Sequence, residues 1–259
     1  MEVVAVANQK GGVGKTTSCI NLAASLGRRG FRVLVVDMDP QGNCTSGLGI
    51  ERQKLDGSIY DVLVENRNIE SVVKETPWKG VKIAPATLDL AGAEVELAGA
   101  LSRETRLSRQ LARLEGYDMV LIDCPPSLGL LSINALVAAM RVLVPLQCEY
   151  FALEGIGQLT RTADLVRGFL NEGLTLGGII LTMYDARTRL SKEVVDEVRE
   201  RFPNEVFETL IPRNVRLSEA PSFGQPICYY DPASAGAEAY EKLGEEVANR
   251  WLGKPLEEV

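Results

Sequence analysis

The sequence predicts a doubly wound α/β fold, a mostly parallel sheet with helices on both faces. Three observations carry this expectation. Short apolar runs alternate with longer stretches of helical pattern, the arrangement of strand–crossover–strand units. Several runs are apolar at nearly every position, as strands covered on both faces require. The residues with chemistry to offer collect at the C-terminal ends of those runs, the edge where open parallel sheets bind ligands.

The first strand is expected at residues 3–7, VVAVA, and delivers a glycine-rich loop to a helix at 15–29. A second strand, VLVV at 33–36, ends on Asp37 and Asp39. Residues 81–84 form a third, followed by a long helical stretch at 88–114. The fourth, 119–122, ends on Asp123 and is followed by a helix at 127–140. Strands at 142–146, 179–183 and 206–211 complete the set, with helices at 153–170, 191–201 and 233–251. No internal repeat, low-complexity tract or linker divides the chain, so residues 1–259 read as one domain.

Composition narrows the function classes. A net charge of −7 with 46% apolar residues is typical of a soluble cytoplasmic protein. That balance argues against a chain coated with nucleic acid, although a local basic patch survives it. The chain has no histidine, so proton transfer near neutral pH falls to carboxylate, lysine, cysteine or water. Five cysteines, none in CxxC spacing, read as buried small hydrophobes in a reducing compartment rather than as metal ligands or disulfides. The start, MEVVAVA, has neither the basic residues nor the apolar length of a signal peptide, and no segment approaches a membrane span.

The chemistry begins at NQKGGVGKTT, residues 8–17. Glycines at Gly11, Gly12 and Gly14 let backbone N–H groups close around phosphate oxygens, with Val13 among them, and the following helix turns its positive end to the same charge. Lys15 is expected to hold the β- and γ-phosphates, Thr16 to ligate Mg²⁺, and Thr17 to continue the loop. A strand before and a helix after make this more than a glycine-rich turn. Asp123 fits a Walker B acid reaching Mg²⁺ directly or through water. Asp37 and Asp39 share a strand end and are expected to point to opposite sides, one toward Mg²⁺ and one toward the γ-phosphate; Asp39 is the choice to position the attacking water and to serve the metal. The plainer reading is that both acids cap the next turn.

KGGVGKTT, VVDMDPQGN, LIDCPPS and IPRNVRLSEAPSFG together resemble the ParA/Soj chromosome-partitioning ATPases, P-loop NTPases of the deviant Walker A type. The resemblance runs from Val3 to about Trp251, and TMYDART points to the Soj-like branch. It implies ATP/ADP and Mg²⁺ as cofactors. It implies a homodimer with ATP in which Lys10, standing beside the Gln9 that replaces the usual first glycine, reaches the other copy's phosphates. Gly11 and Gly12 then let two loops meet face to face. The alternative for Lys10 is its own nucleotide or solvent. No NKxD or TKxD pattern reads guanine, and the resemblance places Pro212 and Asn214 in an adenine pocket, where Asn offers both donor and acceptor; an ordinary strand-to-loop turn is the competing reading.

Three jobs compete. The resemblance implies a DNA-segregation switch, nucleoid-associated in the cytoplasm, whose ATP dimer binds double-stranded DNA nonspecifically and whose hydrolysis a ParB-like protein stimulates. Candidate phosphate contacts are Arg187, Arg189, Arg213 and Arg216, with Arg187 and Arg216 favoured by the resemblance; acids including Glu193, Asp196 and Glu197 lie nearby, so a patch exists only if folding segregates the arginines, and ordinary solvated charge is the alternative. A MinD-like membrane ATPase needs a basic amphipathic C-terminal helix, and the tail at 239–259 is acidic. A metabolic enzyme of the same superfamily needs either grouped cysteines for a cluster, which are absent from the sequence pattern, or an acceptor pocket.

Overall fold

The computed structural model describes residues 1–149 and 152–253. Eight strands form one sheet: β1 (Glu2–Val6), β2 (Val33–Asp37), β3 (Lys74–Glu75), β4 (Val81–Ala84), β5 (Met119–Asp123), β6 (Arg141–Gln147), β7 (Thr175–Tyr184) and β8 (Val206–Pro212). Their order is β3-β4-β2-β5-β1-β6-β7-β8, and every pairing is parallel except β3 with β4. The helices are α1 (Lys15–Arg28), α2 (Asn43–Gly47), α3 (Ile59–Val64), α4 (Leu90–Glu96), α5 (Arg106–Leu111), α6 (Leu130–Ala138), α7 (Ala152–Phe169), α8 (Arg189–Arg201), α9 (Val215–Glu219), α10 (Ile227–Tyr230) and α11 (Ala235–Val247).

The uniformly apolar strands are explained by two cores, one per face. In β1, Val3 and Ala5 join one cluster while Val4 and Val6 join the other; in β2, Leu34 and Val36 split from Val33 and Val35 in the same way. Period-two alternation thus sends successive apolar residues to opposite sides, and both sides are buried. This is the predicted fold class.

The long helix expected at 88–114 is not continuous. It breaks between α4 and α5, where Ser102 adopts a left-handed conformation (φ 54°) and a single 3₁₀ turn spans Arg103–Thr105. The break is pinned from α6: the fully buried Asn134 accepts from the Leu107 N–H at 3.2 Å and donates to the Arg103 carbonyl at 2.9 Å. Five short elements were not anticipated: α2, α3, β3, α9 and α10. The second announces itself in sequence, because Ser58 and Asp61 form a reciprocal capping box over its first turn. β7 begins four residues before its expected start, across Gly177 and Gly178. A side chain at Gly178 would collide with the Phe207 ring, with its Cβ 2.4 Å from the nearest ring carbon, so glycine there serves close strand packing.

The edges are guarded. β3 has only two residues, and on β8 the Glu246 carboxylate accepts from the Glu208 N–H at 2.9 Å and the Thr209 N–H at 2.8 Å, closing two donors that would otherwise template another strand. Glu246 lies on α11, whose other face is docked. Tyr240, Leu243 and Val247 are buried in the core, and a Cβ on Gly244 would meet Ser25 Oγ of α1 at 2.2 Å. The apolar side of this helix is therefore used in packing; the tail residues 254–259 lie outside the described residues. No helix among the described residues is long and apolar enough to cross a membrane.

Candidate functional site: a phosphate cradle and an adjoining base cavity

β1 lies inside the sheet between β5 and β6, so its loop emerges beside the C-terminal ends of both neighbours. Asn8 fixes that loop. Its buried side chain donates to the Pro145 carbonyl of β6 at 2.8 Å and accepts from the Lys10 N–H at 3.0 Å. Gly12 and Gly14 take left-handed conformations (φ 74° and 90°) that a side chain would strain. Val13 is buried, and its carbonyl accepts from Thr182 Oγ1 at 2.9 Å, so it shapes the loop through backbone. Gly14 caps α1 without a side-chain hydrogen bond, and no acid sits in the first turn. The helix therefore presents its first N–H groups and its positive end to an anion.

A cavity of about 270 Å³ opens here. Of the predicted loop residues, Gly11, Gly12, Gly14, Lys15, Thr16 and Thr17 line it; Asp39 does too, joined by Asn43, Pro126 and Met183, which sequence reasoning did not single out. Lys15 is nearly buried, and its ammonium donates to the Lys10 carbonyl at 3.1 Å. Burial lowers its pKa, opposed by the nearby Asp123, Cys124 and Asp39.

The three strand-end acids divide their work. Asp37 and Asp123 are register partners on β2 and β5, both fully buried. Asp37 accepts from Thr45 N–H at 2.8 Å, Thr45 Oγ1 at 2.6 Å and Asp39 N–H at 3.1 Å. Thr45 Oγ1 in turn accepts from the Ala86 N–H at 3.0 Å, so Asp37 anchors α2 to the ends of β2 and β4. Asp37 is thus committed to holding α2, and of the adjacent pair only Asp39 lines the cavity. Asp39 accepts from the Gln41 N–H at 2.9 Å, a turn-capping bond of the kind the plainer reading expects, and still faces the phosphate loop.

Asp123 is different. Neither carboxylate oxygen finds a well-formed hydrogen bond among the described residues, although both are buried. Burial first, then the charge of Asp37, holds its carboxyl well above the ordinary range, with the Thr16 hydroxyl and the Lys15 ammonium pulling the other way. An orphaned buried carboxylate beside a threonine hydroxyl is the donor set a divalent cation completes, so Asp123, Thr16 and Asp39 fit a magnesium site. Among the described residues no group of three or more His, Cys, Asp or Glu is placed to hold a metal. Mg²⁺ does not require one, since it is usually held by one or two carboxylates with waters and substrate phosphates.

A pH effect follows from Asp37. Burial pushes its pKa up to about 6 from an ordinary 3.8, against the pull of its hydrogen bonds. The folded chain therefore binds this proton more tightly than the unfolded chain, and the stability that protonation contributes is lost as pH rises through 6. The full shift corresponds to roughly 3 kcal/mol. In chelator and without nucleotide, urea unfolding is expected to show stability declining between about pH 4 and 6, with a shallower decline in Asp37→Asn. An equal decline in the variant would remove Asp37 as the source.

A second cavity, about 210 Å³, adjoins the first. Pro212 and Asn214, the predicted base residues, both line it, together with Thr17, Met183 and Tyr240. Asn214 also caps α9, its Oδ1 accepting from the Arg216 N–H at 2.8 Å, which leaves the amide NH₂ as its further donor.

Lys10 lies outside both cavity linings. Its ammonium stands 3.7 Å from Glu149 Oε2, while the other oxygen of Glu149 receives Arg213 at 3.4 Å and the Gln147 amide. This partnership spans 139 positions and has no local signal in the sequence. The four arginines are exposed to different degrees, and folding does not separate them from acids. Arg187 pairs with Asp185 and Arg189 with Glu193, both at 2.7 Å; Arg213 pairs with Glu149; Arg216 pairs with Glu219 at 2.8 Å and Asp231 at 3.4 Å. The cysteines are all buried, as expected, including Cys124.

Comparison with known proteins gives the family. A family model described as an AAA domain matches residues 1–176. The chromosome partitioning protein ParA of Myxococcus xanthus is 54% identical over 249 residues, covering 96% of this chain and 88% of that protein. The chromosome-partitioning ATPase Soj of Thermus thermophilus is 54% identical over 247 residues, 95% of each chain. Among solved structures, cobyrinic acid a,c-diamide synthase from Mycobacterium smegmatis with bound ADP and magnesium superposes with a TM-score of 0.85 at 40% identity, covering 100% of this chain and 99% of that one. A phosphate-loop fold, the orphaned strand-end acid and near-full-length identity above one half lead to one conclusion: this chain belongs to the ParA/Soj family of chromosome-partitioning ATPases.

Proposed function

We propose that this protein is an ATP-dependent DNA-segregation switch. MgATP occupies the two adjoining cavities, with phosphates in the Gly11–Thr17 loop and adenine against Pro212 and Asn214. Thr16, Asp39 and Asp123 hold Mg²⁺, which neutralises phosphate charge when bound. Lys15 holds the β- and γ-phosphates, and Asp39 orients the attacking water. Two copies close face to face, each extending Lys10 to the other's nucleotide. The closed dimer binds double-stranded DNA nonspecifically through Arg187, Arg189, Arg213 and Arg216, and hydrolysis stimulated by a ParB-like protein releases it.

The observation that carries this reading is the position of Lys10. It flanks the phosphate loop yet lines neither cavity and rests on an exposed carboxylate, Glu149. A pair with both side chains 40–45% exposed is worth at most about 1 kcal/mol, so a triphosphate outcompetes it readily. The same weakness applies to the pairs Arg189–Glu193, Arg213–Glu149 and Arg216–Glu219, exposed on both sides, whose partners a DNA phosphate replaces at small cost.

The test is DNA binding by the ATP-loaded protein. On mixed-sequence duplex, binding at 50 mM salt is expected to fall by about 10³-fold or more at 200 mM, since four arginines from each of two copies imply about eight phosphate contacts. ADP is expected to leave little binding. Absence of ATP-dependent binding at low salt would sink the DNA reading.

A further inference from the structure

β7 does not end as an ordinary strand. Met183 takes a left-handed backbone conformation, φ 53°. The other two non-glycine residues in this region among those described, Asn66 and Ser102, lie in connections between elements; Met183 lies within a strand. The register between β7 and β8 shifts between Leu181 and Tyr184, so the strand bulges at this point. Bulges beside binding sites commonly redirect one side chain.

The conformation is held from both sides. Thr182 donates through Oγ1 to the Val13 carbonyl and accepts the Cys148 N–H at 3.0 Å, while the Tyr184 carbonyl accepts the Arg213 N–H at 3.0 Å. A strained residue persists only where its surroundings over-determine it, and such residues gather at ligand sites. Met183 lines both the phosphate cavity and the base cavity. In a nucleoside polyphosphate, the sugar lies between phosphates and base.

We propose that Met183 is a nucleotide-contacting residue, placed by the β7 bulge to seat the nucleoside half of the ligand, its flexible thioether packing on the sugar and the adjoining face of the base. This rests on the reading that the two cavities together take one nucleotide. Phosphate capture belongs to the glycine loop; Met183 discriminates whether a nucleoside is attached to it.

The experiment compares wild type, Met183→Gly and Met183→Leu by calorimetric titration with MgADP and with inorganic pyrophosphate, alongside thermal melts. Glycine relaxes the left-handed backbone, so Met183→Gly is expected to melt no lower than wild type. Its ADP affinity is expected to fall about tenfold, as loss of one apolar side-chain contact implies, with pyrophosphate affinity unchanged. Met183→Leu, which keeps apolar volume, is expected to stay within about threefold of wild type for ADP. Undiminished ADP binding by Met183→Gly would overturn the assignment, as would an equal loss for pyrophosphate, which would place the effect in the loop. Wild-type protein binding neither ligand would instead overturn the underlying reading of the cavities.

Discussion

Lys10→Ala is expected to bind ATP within about threefold of wild type and yet remain monomeric where the wild type dimerises. The structure separates the two properties. Lys10 is positioned through its backbone, which accepts from Lys15 and donates to Asn8, and those bonds survive truncation of the side chain. The side chain itself is 40% exposed and engaged only with Glu149 among the ion pairs of the described residues, so its removal costs the fold little. In the proposed dimer each of two ammonium groups would make a charge-assisted contact worth about 1.5–3 kcal/mol. Losing both weakens association by about 10²- to 10⁴-fold. Sizing in the presence of ATP and Mg²⁺ reads this directly, and unimpaired dimerisation would remove Lys10 from the interface.

Asp39→Ala is expected to retain ATP but hydrolyse it about 10²- to 10⁴-fold more slowly, the range for loss of a group that positions or deprotonates a nucleophile. Asp39 is the one carboxylate residue among those lining the phosphate cavity, and the chain has no histidine to substitute for it. Asp37 cannot take over, because Thr45 and the Asp39 N–H occupy its oxygens and truncating its neighbour leaves it turned toward α2. Under the proposed function slow hydrolysis would prolong the closed state, so this variant is expected to stay on DNA after wild type has released it. Turnover measured by phosphate release with nucleotide affinity measured in parallel checks the split; wild-type turnover would return Asp39 to a turn-capping role.

Much of this architecture is legible in sequence because its causes are local. Strands buried on both faces must be apolar at every position, so β1, β2 and β5 declare themselves. The phosphate loop does so as well, because left-handed Gly12 and Gly14 leave a mark in residue type. The illegible parts depend on distant partners. Nothing near residue 102 reveals that Asn134 will satisfy the backbone where a helix stops. Strand alternation would put Asp37 and Asp39, two residues apart, on one side; they part because β2 ends at Asp37, and the hydroxyl of Thr45, eight residues on, decides which one is consumed. Met183 sits in a bulge created by pairing with β8, and TMYDART carries no glycine to announce it.

Sedimentation of Asp39→Ala with ATP and Mg²⁺, repeated with ADP, tests the clasped nucleotide pair most directly. A species of twice the 28.2 kDa chain mass is expected with ATP and the single chain with ADP. A 28.2 kDa particle under saturating ATP, or the same dimer in ADP, would contradict it.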